Sequence, residues 1–159
     1  MTRWLWWFLL VPQSYLVAGC WRDLGLPPLD ASVLLGMFLL VFAERPALPW
    51  LLLGAAVGRA MVDEAGLAVQ ILVLGIPVAL LLPLRGLFFG RRWVWQALAA
   101  ALLAFAIPHL AGLCGRCFDQ PSQSAVFEPW SVLWSALLVP PILTLLRHLP
   151  PLAAFEESE

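Results

Sequence analysis

The chain has no lysine; all nine of its basic side chains are arginine. Charge of either sign is scarce, at 12% of 159 residues, where a soluble domain carries about 25%. A net charge of −1 leaves no electrostatic footprint for nucleic acid. Catalytic signatures are missing too: there is no H-E-x-x-H, no phosphate-binding Walker loop and no pair of carboxylates inside an apolar stretch. The last absence argues against proton or ion coupling, which uses buried carboxylates. Ser14, Ser32, Ser131 and Ser135 have no evident base partner for hydrolysis. No cofactor or metal is expected.

What fills the chain is apolar. Hydrophobic residues make up 62% and mean hydropathy is +0.90, which points to an all-α integral membrane protein. A spanning helix needs about 20 residues, so the chain has room for at most about six or seven and for no separate soluble domain. Six stretches stand out, at about 4–21, 29–43, 48–62, 66–84, 93–113 and 131–149, followed by a short acidic tail, 150–159. The second and third are short and are joined tightly through Glu44-Arg45-Pro46. They read as two crossings, because of charge. With six crossings and both termini cytoplasmic, Arg3, Arg45, Arg85, Arg91, Arg92 and Arg147 lie inside, and only Arg22 and Arg116 lie outside. That is the positive-inside bias of a cytoplasmic-membrane protein. A re-entrant pair would place Arg85, Arg91 and Arg92 outside and erase it. Trp4, Trp6, Trp7, Trp50, Trp93 and Trp95 then fall near inner ends, and Trp21, Trp130 and Trp134 near outer ones, as indole rings favour the headgroup level.

Several residues invite a closer reading. Val17-Ala18-Gly19-Cys20 resembles a lipoprotein cleavage site, but an uncleaved first helix is the expectation, with lipidation of Cys20 left open. Cys114-Gly115-Arg116-Cys117 opens the outer loop, about 114–130. It is a disulfide, two idle thiols or a redox pair; a metal site, drawing on His109 and Cys20, would need more ligands. Arg59 is the one charge inside a span. It either shares a helix face with Asp63 and reaches the interface, or contacts a subunit or ligand. Gly54-x-x-x-Gly58 lets two helices approach closely; with Arg59 it forms a candidate helix or partner contact. His109, after Pro108, reads as a hydrogen-bonding residue at a kink. Arg85, Arg91 and Arg92 form an inner basic cluster, an anchor at the anionic leaflet or a docking surface.

The residues from Leu29 to Leu149 resemble the bacterial rod shape-determining protein MreD family. The resemblance rests on the short second span ending Glu44-Arg45-Pro46, then Leu53-Gly54-Ala55-Ala56-Val57-Gly58 and the acidic turn Asp63-Glu64 before Gly66-Leu67. It continues through Leu84-Arg85-Gly86-Leu87-Phe88-Phe89-Gly90-Arg91-Arg92 and a last helix with Pro140-Pro141 running into Arg147. The Cys114–Cys117 pair is not part of the family pattern. The resemblance implies a non-enzymatic inner-membrane scaffold of cell-wall elongation. It would bind MreC and, through it, the penicillin-binding transpeptidase, the RodA glycosyltransferase and MreB. It also implies a fold like the substrate-binding subunits of energy-coupling-factor transporters. Two other readings stay open: a vitamin-type substrate-binding subunit with an outer pocket near Arg59 and His109, and a membrane thiol oxidoreductase using Cys114 and Cys117.

Overall fold

The computed structural model describes residues 2–24, 30–88, 93–121 and 128–147. Among these the chain forms helices and turns and no strand. The helices are α1 (Thr2–Asp23), α2 (Ala31–Val41), α3 (Leu48–Ala60), α4 (Leu67–Leu81, extended by a 3₁₀ turn Leu82–Leu84), the single turn α5 (Arg85–Phe88), α6 (Trp93–Phe118) and α7 (Pro129–Arg147).

Local chemistry sets several of the boundaries. Asp30 caps α2: its carboxylate accepts the Ser32 N–H at 2.8 Å, satisfying a donor the first turn leaves open. Pro49 lies in the first turn of α3, where its missing N–H costs nothing. The far end of α6 closes on Asp119, whose φ is 52°; the following Gln120 N–H donates to Gly115 O at 2.9 Å. This is a Schellman-type end made without glycine. A left-handed conformation costs a residue with a Cβ about 1–2 kcal/mol, and Asp tolerates it best after Gly and Asn. Asp119→Val is therefore expected to lower stability by about 1–2 kcal/mol in a denaturant titration, while Asp119→Gly should be neutral or slightly stabilising.

α2 is the central element. It packs against α1, α3, α4, α5, α6 and α7, and all of its residues but Leu34 are buried. Around it the order is α1, α3, α4, α6, α7, each packed on the next. A helix that is apolar all round belongs inside. Gly36 makes this approach possible: a Cβ there would sit 3.3 Å from Leu103 Cδ1 on α6 and 3.8 Å from Val78 Cγ2 on α4.

Side-chain contacts fix the relative directions. Trp7 lies beside Leu51 and Gly54, and Val11 and Tyr15 beside Gly58. Ascending numbers pair with ascending numbers, so α1 and α3 run parallel. On α2, Phe38 stacks on Trp7 and Ser32 meets Arg59, so α2 runs against both.

Among the described residues two helices are long and apolar enough to cross a membrane, Leu67–Leu84 and Trp93–Phe118. At 1.5 Å per residue they measure about 27 and 39 Å, against a hydrocarbon core of about 30 Å. α2, α3 and the apolar part of α7 (Pro129–Leu145) are shorter. The outward faces are greasy: Leu5, Leu80, Val94, Phe105, Leu137 and Leu145 are all exposed.

The helices differ from the expected stretches at instructive points. α6 runs to Phe118, five residues past the expected 113, because its chain continues helically through Gly115 to the Asp119 stop. Residues 114–118 are therefore helix and not loop. Trp7 is not an interfacial indole. It is 1% exposed, because its helical phase points it at α2 and α3.

Candidate functional site

Three of the buried polar side chains, Ser32, Arg59 and Gln70, lie toward the end of the bundle where α2 begins and α3 finishes. Arg59, in the last turn of α3, is 4% exposed. Its Nη1 donates to Ser32 Oγ on α2 at 2.7 Å. Ser32 in turn gives its backbone N–H to Asp30, so the cation and the carboxylate sit on either side of one serine. Tyr15 on α1 turns its buried hydroxyl toward Ser32, within electrostatic reach of Arg59 and Asp30. Tyr15 stands eight residues before the end of α1, about 12 Å along the axis. The cluster thus lies well below the tip of that helix.

A second set of bonds continues sideways from the same end. Past α3 the chain turns, and Asp63 accepts from Gln70 Nε2 of α4 at 3.0 Å. Gly66, just before α4, donates its N–H to Gln120 Oε1 at 2.9 Å. Gln120 follows α6, so this bond straps α6 to α4.

Arg59 therefore departs from both halves of its simplest expectation. α3 ends at Ala60, which places Asp63 in the turn and not on a shared helix face. The guanidinium points inward to Ser32 and does not reach for the interface. No carboxylate among the described residues forms a salt bridge with it. Ser32 has a partner after all, though one that uses its hydroxyl as an acceptor and not as a nucleophile.

Gly54 and Gly58 both face α1. A Cβ on Gly54 would meet Trp7 Nε1 at 2.7 Å and Cδ1 at 2.9 Å; one on Gly58 would meet Val11 Cγ1 at 2.5 Å. Both glycines are thus occupied by a helix of the same chain. Arg59, one residue on, turns instead to Ser32 of α2.

The remaining candidates lie apart. Arg85 is 5% exposed and directs Nη2 toward Val41 O at the C-terminal end of α2, 3.4 Å away. A cation at that end suits the helix dipole. Arg85 is therefore a core residue and not one corner of an open basic surface; Arg91 and Arg92 lie outside the described residues. His109 is exposed on α6, with Nδ1 2.7 Å from Phe105 O and its ring stacked on Phe105 at 4.2 Å. Cys20 is exposed near the end of α1. Cys114 is buried, Cys117 exposed, and both are free thiols in the final turns of α6. Among the described residues no three His, Cys, Asp or Glu side chains gather as a metal site would require.

Sequence reasoning passed over Tyr15, Asp30, Gln70 and Gln120. One signal was present: Asp30 two residues before a serine, opening an apolar run, is a helix-capping pattern. The others depend on which helices meet. What the assembled site can do is join helices: its hydrogen bonds link α2 to α3, the turn after α3 to α4, and α4 to α6. No protein-family model matches the chain, and no curated protein or solved structure matches it either.

Proposed function

We propose that the chain is a multi-pass protein of the bacterial cytoplasmic membrane, with six crossings and both ends inside. It acts as a non-enzymatic scaffold of the MreD type, holding MreC and through it the enzymes of cell-wall elongation. The observation that carries this reading is the hydrogen bonding between helices at one end of the bundle. The buried Arg59, Ser32 and Gln70, the half-buried Asp63 and the exposed Gln120 are bonded to one another or to backbone across helix boundaries. Such bonds make a stiff bundle, and a scaffold needs a fixed outer surface more than a cavity. The alternation of α1, α2 and α3, parallel and antiparallel, supports successive crossings. The six-to-two arginine bias supports the orientation.

The experiment is depletion combined with pull-down. Depleted cells should round up, and the tagged protein should recover MreC. Rod-shaped depleted cells and a pull-down without MreC would end the proposal.

The substrate-binding reading has one observation in its favour, the buried Tyr15 hydroxyl that faces Ser32 near Arg59. Under that reading Arg59→Ala abolishes uptake of a vitamin-like solute and leaves cell shape alone. The oxidoreductase reading has less. Its thiols sit at the C-terminal end of a helix, opposite to the end that activates catalytic cysteines.

A further inference from the structure

Cys114 and Cys117 are three residues apart on α6, so they lie one above the other on one face. Cys114 packs inward at 7% exposure, and Cys117 is open to the surroundings. Between them stands Gly115, whose carbonyl accepts the Gln120 N–H that ends the helix. Gln120 then uses its side chain to hold Gly66 at the start of α4. The two thiols therefore flank the one carbonyl on which the α6–α4 strap is anchored.

Residues three apart on a regular helix have Cβ atoms about 5–6 Å apart. A disulfide needs about 3.5–4.5 Å. Closing the pair must tighten the turn by about 1–2 Å, toward the narrower i to i+3 winding. A terminal turn containing glycine can yield in this way. The carbonyl of Gly115 turns with it, and the bond to Gln120 N is strained or lost.

We infer that Cys114 and Cys117 are a modification site, an intrahelical dithiol whose oxidation to a disulfide loosens the strap between α6 and α4. The chemistry is a two-electron oxidation. Both S–H bonds break, one S–S bond forms, and two protons and two electrons pass to an oxidant of the disulfide or azo class. The inference does not depend on the scaffold reading, because its readouts are covalent state and amide exchange in the isolated protein.

The test uses the full chain in nanodiscs, with Cys20→Ser to remove the third thiol. It is treated with the azo oxidant diamide or with dithiothreitol. Oxidised protein should resist alkylation at both cysteines, and its peptide should weigh two hydrogens less. Hydrogen exchange in a peptide containing Gly66 should quicken about three- to tenfold, the size expected for one lost hydrogen bond. Cys117→Ser treated with diamide should show neither change. Gln120→Ala should reproduce the faster exchange in reduced protein. An absence of intramolecular disulfide after diamide, dimers joined through Cys117, or closure with unchanged exchange at Gly66 would each overturn the inference.

Discussion

Trp7→Ala should be the most damaging single truncation in the bundle, lowering stability by about 3–5 kcal/mol, the range for large aromatic residues cut to alanine in packed interiors. Three separate contacts go at once. The indole is 1% exposed. Its Nε1–H donates to Leu51 O at 3.1 Å. Its face stacks on Phe38, with centroids 5.6 Å apart. The transfer part of the cost is smaller in lipid than in water, since lipid tails are as apolar as the core. The cavity part remains, because Gly54 beneath the ring has no side chain to move into the gap. An unfolding titration in mixed micelles measures the loss. Trp7→Phe should keep most of the packing and lose the hydrogen bond, at about 1 kcal/mol. If alanine costs no more than phenylalanine, Trp7 does not organise the α1–α2–α3 contact.

That contact marks where sequence stopped being legible. The Gly54-x-x-x-Gly58 pattern pointed to close helix packing, because two glycines one turn apart leave a flat strip on any helix. Which helix lies on the strip is a tertiary fact. Trp7, Val11 and Tyr15 recur every four residues along α1, a spacing that keeps them on one helix face. Yet Trp4, Trp6 and Trp7 look alike when placed by distance from a membrane face, and only phase separates Trp7 from an interfacial indole. The short second stretch posed the same problem. Its apolar character was plain, but a helix of that length can cross, re-enter or fill the core. Its burial on all sides follows from Gly36 and from the five helices arranged around it. The end of α6 was misplaced for a local reason. Gly115 and Arg116 read as the opening of a loop, whereas the left-handed residue that stops the helix is Asp119.

Arg59 stood out as the charge within the third apolar stretch, and it is buried there, but its partner is Ser32 and not Asp63. Spacing of four residues favours Asp63 only if the helix continues that far. A test of the actual arrangement is a double-mutant cycle on Ser32 and Arg59. Ser32→Ala alone removes the acceptor and leaves a guanidinium buried with its bond unmade; hydrogen bonds to charged groups are worth about 1.5–3 kcal/mol. Arg59→Met removes the charge and its desolvation cost while keeping much of the volume, an exchange that is often near neutral. Asp30 keeps the Ser32 N–H in every variant, because that bond is to backbone. Once Arg59 is methionine, Ser32→Ala has little left to remove and should cost below about 1 kcal/mol. The two changes should therefore be coupled by about 1–2 kcal/mol, well beyond the few tenths seen for independent sites. Additive costs in the same micellar titration would mean that Arg59 takes its stability from another group, and the bond between α2 and α3 would lose its claim to hold this end of the bundle together.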